Sequence, residues 1–256
     1  MKLLIKRLFK NEIIYKIRNK INFKPVKINL EKNKFNSSVS DAFLWRCDKN
    51  FKTIFKYTDL LDLFYDDKNH KISIIFFDNK NTKIKEIEYL DILNKKEFLI
   101  DENLLNGQEG YGTFYIFHNS KNLKNISVRN SCYTGYSYKK NLYSFVHGNL
   151  PAKYSNLQVP SELKNNIIFT NSIFKNQKYF VQNDFSSYDR VEVFFVNSSR
   201  DKLKFTVNNK RYVLNYNHCK IVELHDLSKI IISSNSYLLR PIIFSYKDNF
   251  IDVQHG

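Results

Sequence analysis

From Phe43 onward the chain is a succession of short β-branched and aromatic runs broken by Asn, Asp, Lys and Ser, and no other feature limits its folding as strongly. "KISIIFFD" (71–78), "TFYIFH" (113–118), "RVEVFFVN" (190–197), "KLKFTV" (202–207), "RYVLNY" (211–216) and "PIIFSY" (241–246) are each the length of one strand. Little helical periodicity separates them, so the spacing predicts a mostly β fold of antiparallel sheets, in a sandwich or barrel. "NNKR" (208–211) reads as a hairpin turn, because Asn tolerates the left-handed backbone that tight turns need.

Self-comparison adds an internal correspondence. At a constant offset of 119 (190 − 71), "KISIIFFDNKNTKIK" lies over "RVEVFFVNSSRDKLK" and "TIFK" (53–56) over "SIFK" (172–175). Identity in the longer pair is confined to Phe76/Phe195, Lys83/Lys202 and Lys85/Lys204, so it arises either from duplication or from two similar strand pairs of biased composition. The expected plan is a basic amphipathic helical arm (1–38), a first antiparallel β-sandwich unit (39–150), a linker (151–160) bracketed by Pro151 and Pro160, and a second β-sandwich unit (161–256).

The arm carries 11 Lys+Arg against 2 Asp+Glu, whereas residues 41–256 carry 30 against 23. Leu4, Ile5, Leu8 and Phe9 fall opposite Lys2, Lys6, Arg7 and Lys10, and a second stripe of Ile13, Ile14, Ile17 and Ile21 points nearly the other way. Two short helices, or one kinked near Asn11, fit this pattern. Residues 1–23 therefore suit an anionic membrane surface, where each basic residue is worth about 1 kcal/mol, or packing of the isoleucines on the sheets. Nucleic acid is a poorer partner for so mildly charged a body. With 33 Lys to 8 Arg, 32 Asn and 2 Ala, part of the basicity reflects the residue usage of an AT-rich genome.

Cys47, Cys132 and Cys219 are odd in number and lack CxxC spacing, which signals neither a disulfide framework nor a thiolate zinc site and favours a reducing cytoplasm. No apolar run reaches the roughly 18 residues of a spanning helix, and Lys6, Arg7 and Lys10 interrupt any signal-peptide core. The expected location is cytoplasmic, peripheral to a membrane if the arm engages lipid.

Candidate chemistry concentrates in "CYTGYSYKKNLYSFVHGN", Cys132 to Asn149. Alternation places Tyr143, Phe145 and His147 on one face of the second strand and Tyr136 with Tyr138 on one face of the first, predicting an aromatic hairpin. Such rings stack on sugar faces while tyrosine hydroxyls bond polar groups; packing of the same rings inside the fold is the competing reading. His118, His147 and His255 each end an apolar strand, and three converging imidazoles bind zinc with a position left for water. Arg46, Arg129 and Arg240 sit beside strands, where a guanidinium fork holds a carboxylate or sulfate, or pairs with Asp or Glu inside the fold.

Neither GxSxG, P-loop, GxGxxG opening a helix, nor HExxH occurs; "GQEGYG" (107–112) precedes a strand and lacks the Lys-Ser/Thr of a phosphate cradle. The leading expectation is a non-enzymatic binding module taking a carbohydrate or other polar or anionic ligand through Tyr136, Tyr138, Tyr143 and Phe145, with Arg129 as polar anchor and no cofactor. A metal-dependent hydrolase or lyase using His118, His147 and His255, with zinc as the cofactor, is the alternative, and membrane association through the arm the second alternative.

Overall fold

The structure, a computed structural model, describes residues 36–89, 97–129, 132–139, 142–158, 164–165, 171–172, 176–181, 184–199, 201–225, 227–236 and 239–256. The arm, and with it the membrane contact expected of residues 1–23, lies outside the described residues except at its end, where Ser37 already opens the first strand.

The fold is mostly β, in several largely antiparallel sheets. In the first, β1 (Ser37–Arg46), β3 (Lys71–Asp78), β4 (Lys83–Tyr89), β6 (Tyr111–Asn119), β10 (Asn149–Asn156) and β11 (Lys164–Asn165) run in the order β11-β10-β1-β6-β3-β4, and β7 (Ser127–Arg129) pairs with β1 in parallel. In the second, β2 (Phe51–Lys56), β5 (Glu97–Ile100), β8 (Tyr133–Tyr138) and β9 (Ser144–His147) take the order β5-β2-β8-β9. The third orders β12 (Gln177–Val181), β14 (Leu203–Val207), β15 (Lys210–Leu214) and β17 (Ile230–Ser234) as β12-β17-β14-β15. The fourth orders β13 (Arg190–Val196), β16 (Cys219–Leu224), β18 (Ile242–Lys247) and β19 (Phe250–His255) as β16-β13-β18-β19. A short helix, α1 (Leu60–Tyr65), begins where the Asp59 carboxylate accepts from the Asp62 N–H and ends at Asp66 with φ 50°.

Period-two alternation distributes the apolar side chains among the layers. Phe114 and Ile116 of β6 join Phe43, Phe55, Ile74 and Phe76 in a core between the first two sheets, while Tyr115 and Phe117 point the other way, toward Ala42, Ile75 and Phe77. Val193 and Phe195 pack with Phe205, Val207 and Ile232 between the third and fourth sheets. The second and fourth sheets also bury surface on one another, Phe51, Tyr136 and Val146 against Phe194, Phe244 and Tyr246. Cys47, Cys132 and Cys219 are free and buried.

Turns are made mostly without glycine. Asn36, Asn50, Asn81, Asn106, Asn125, Asn208, Asn209 and Asn217 all have positive φ, and Asn208–Asn209 close the two-residue turn between Val207 and Lys210. Gly112 has a different duty: a Cβ there would lie 2.0 Å from the Phe77 carbonyl oxygen, the same atom that accepts from Trp45 Nε1 at 2.8 Å.

Two expectations from sequence meet a different arrangement. Residues 151–156, assigned to a linker, belong to β10 and pair with β1; between the pairs Ser40↔Lys153 and Ala42↔Asn149, Leu150, Pro151 and Ala152 face Asp41 alone. Proline, lacking an N–H, fits a strand at such an irregularity, so Pro151 marks a bulge. The segments related by the offset of 119 also pair differently: β3 and β4 form one hairpin, whereas β13 and β14 lie in separate sheets.

Candidate functional site

The register of β8 on β9 sorts the rings of the hairpin. Tyr133↔His147, Gly135↔Phe145 and Tyr136↔Ser144 are directly opposed, which puts Tyr133, Gly135, Phe145 and His147 on one face and Tyr136 and Tyr138 on the other. Tyr136 is fully buried, donates its hydroxyl to the Leu44 carbonyl at 2.8 Å and meets the Phe244 ring edge-on at 5.1 Å. Burial drives its phenol well above the usual range, outweighing the lowering effects of the Thr134 side chain and the Arg46 charge. Tyr138 packs on Phe51 and Tyr246, at 5.3 and 5.2 Å. Both expected ligand rings on β8 therefore belong to the contact between the second and fourth sheets.

Tyr143 and Phe145 do come together, 6.3 Å apart, on the outward face. Beside them Tyr133 lies 4.2 Å from His147, with Tyr133 44% and Phe145 39% exposed. Phe145 lies over the Gly135 backbone, because a Cβ at Gly135 would sit 2.5 Å from its ring and 2.7 Å from Ile54. Glycine weakens a strand interior unless something approaches its backbone, and here an aromatic ring does. Leu99, 43% exposed, extends the face across β5, and Lys56 stands 5.0 Å over the Phe145 ring while pairing with Glu97 at 3.0 Å.

The arginines are paired. Arg129 holds Asp41 through Nε and Nη2 at 3.1 and 3.0 Å. Burial raises the Asp41 carboxyl to about 6, a rise limited by the charges of Arg129 and Arg240. Arg46, fully buried, donates to Glu192 Oε2 at 2.6 Å and to Asp48 Oδ1 at 2.7 Å. Arg240 is exposed.

The three strand-end histidines do not gather into one group. His147 is exposed on the ring face. His255 on β19 lies near it, and burial, then the Arg240 charge, lower its pKa to about 4. His118 is buried against His70, ring centroids 6.1 Å apart. Among the described residues, the group of three side chains able to hold a metal consists of Asp59, His70 and His118, whose ligand atoms all lie within 4.8 Å of one another. Sequence reasoning missed Asp59 and His70. Asp59 carries the signal of a helix N-cap ahead of "LLDLF", and His70 stands one residue before a strand, but only the pairing Ile72↔His118 brings them together.

No family model matches the chain, and no curated protein does. Among solved structures, an anti-sigma factor domain-containing protein aligns at 9% identity over 84% of this chain and 80% of that chain, with a TM-score of 0.19, too low to carry any argument. No helix among the described residues is long and apolar enough to cross a membrane.

Proposed function

We propose that the chain is a non-enzymatic binding module made of two β-sandwich units, and that the outward face of the second sheet takes a carbohydrate or other polar ligand. One observation carries the reading: Tyr133, Phe145 and Leu99 stand exposed together on one sheet face, with Tyr143 and His147 beside them. Large apolar groups gathered on a surface mark sites of interaction. Rings held by β-strands present broad faces to the C–H side of a sugar at little entropic cost, while tyrosine hydroxyls and imidazole serve its hydroxyls. Lys52 and Lys56 project from the same face of β2 and would favour an acidic sugar.

Calorimetric titration against a panel of neutral and uronic-acid oligosaccharides tests this. Binding should be found, and Tyr133→Ala/Phe145→Ala should lose it while Tyr138→Phe keeps it. Equal binding by the double variant would remove this face from the site, and a panel without a binder would remove carbohydrate from the reading.

A further inference from the structure

We propose that Asp59, His70 and His118 form a site for one divalent transition-metal ion of the zinc class, separate from the ring face. The donor set is two imidazole nitrogens and a carboxylate oxygen. Borderline ions such as zinc take that set, whereas magnesium and calcium select oxygen ligands.

His70 is oriented as a ligand would be. Its ring is fully buried, and Nδ1 sits in a short contact with the Asp67 carbonyl oxygen. An N–H at Nδ1 directed there leaves the lone pair on Nε2, turned toward Asp59 and His118. Metal-bound histidines are held by this outer contact, which sets tautomer and ring angle together. Asp67 is itself anchored, its carboxylate accepting from the Ser120 hydroxyl and, at 3.2 Å, from the Asn122 amide. On the other side, the N-cap contact of Asp62 N–H at 3.2 Å fixes the Asp59 carboxylate.

His70 Nε2 lies 2.7 Å from Asp59 Oδ1, so the two nearest donors of the group already stand side by side. Ligand atoms bonded to zinc at about 2.0–2.2 Å are roughly 2.8–3.6 Å apart. Asp59 and His70 are already near that range, and the 4.8 Å limit for the whole group leaves a small side-chain movement to bring His118 in. Three protein ligands leave a coordination position open, and part-exposed Asp59 provides the side from which solvent reaches it.

The test uses the full chain, stripped with a chelator and titrated with Co²⁺, then Zn²⁺. One equivalent of Co²⁺ should give visible ligand-field bands that Zn²⁺ abolishes. Asp59→Asn keeps a competent N-cap and should weaken Zn²⁺ binding by at least the 10–100-fold or so that loss of an outer partner already costs. His70→Gln should do the same. X-ray absorption on the zinc-loaded wild type should report nitrogen and oxygen donors, two imidazoles and no sulfur, and it decides the matter even if a variant fails to fold. Wild-type protein that takes up no stoichiometric ion, unchanged affinity in Asp59→Asn, or sulfur or fewer than two imidazoles in the spectrum would overturn the site.

Discussion

Breaking the buried pair Arg46–Glu192 should be among the costliest single changes in this protein. Arg46 is 1% and Glu192 2% exposed, and they join β1 to β13 across 146 residues of chain. Arg46 Nη1 donates to Glu192 Oε2 at 2.6 Å, the Tyr246 hydroxyl donates to that oxygen at 2.5 Å, and Arg46 Nε donates to Asp48 Oδ1 at 2.7 Å. The guanidinium lies 3.8 Å over the Phe51 ring. Glu192→Met removes the acceptor of two charge-assisted bonds and leaves Arg46 only Asp48 and the Tyr246 hydroxyl, so the loss should approach the roughly 3–5 kcal/mol of a broken buried pair. Arg46→Met should cost about as much, because Glu192 keeps only Tyr246. Arg46→Met/Glu192→Met removes both charges, and a buried pair replaced by apolar residues is close to neutral or better. The double variant should therefore sit nearer wild type than either single, with a coupling of at least about 3 kcal/mol. Urea unfolding midpoints at equal slope measure all four chains. Singles costing under about 1 kcal/mol, or a double equal to their sum, would refute the reasoning. Burial pushes the Glu192 carboxyl up, but the Arg46 charge and the bonds from Arg46 and Tyr246 outweigh it and hold the carboxyl below its ordinary 4.5. Its stabilising contribution is thus complete above that pH and is lost as pH falls below it, so the penalty of Glu192→Met should shrink in acid.

Asp41 and His255 should tilt stability in opposite directions across the same pH window. Folded Asp41 keeps its proton to about 6 against 3.8 unfolded, so stability falls as pH rises through that interval; folded His255 titrates near 4 against 6.5 unfolded, so stability rises. Each difference corresponds to no more than about 3 kcal/mol, less for part-exposed His255. Asp41→Asn should leave a profile that climbs from acid to neutral and His255→Asn one that declines; parallel profiles by thermal melting would contradict both assignments. Lys153 is buried with its ammonium 3.7 Å over Phe77 and 4.4 Å over Tyr115, and burial lowers its pKa to about 8. Lys153→Met keeps the stem on those rings and removes the desolvated charge, so it should stabilise by about 1–3 kcal/mol at neutral pH, and a loss of stability on urea unfolding would show that the cation–ring contact outweighs desolvation.

What could be read in the sequence was local. The strand runs and the Asn208–Asn209 turn are set by neighbouring residues, since a two-residue period and tolerance of positive φ need no distant partner. Which face of a strand meets solvent is a property of pairing, and here composition misleads, because several strands are covered on both sides. "TFYIFH" reads as one apolar run since Phe114 and Ile116 face one core and Tyr115 and Phe117 another. The tyrosines of β8 show the same limit at the proposed site. Tyr133 and Tyr136 are three residues apart, so they fall on opposite faces, and the next residue on Tyr133's face is Gly135. That glycine makes the outward side of β8 look empty in the sequence. Its missing side chain is what lets Phe145 from the next strand lie across it, so the ring face is built by pairing two strands and neither strand spells it alone.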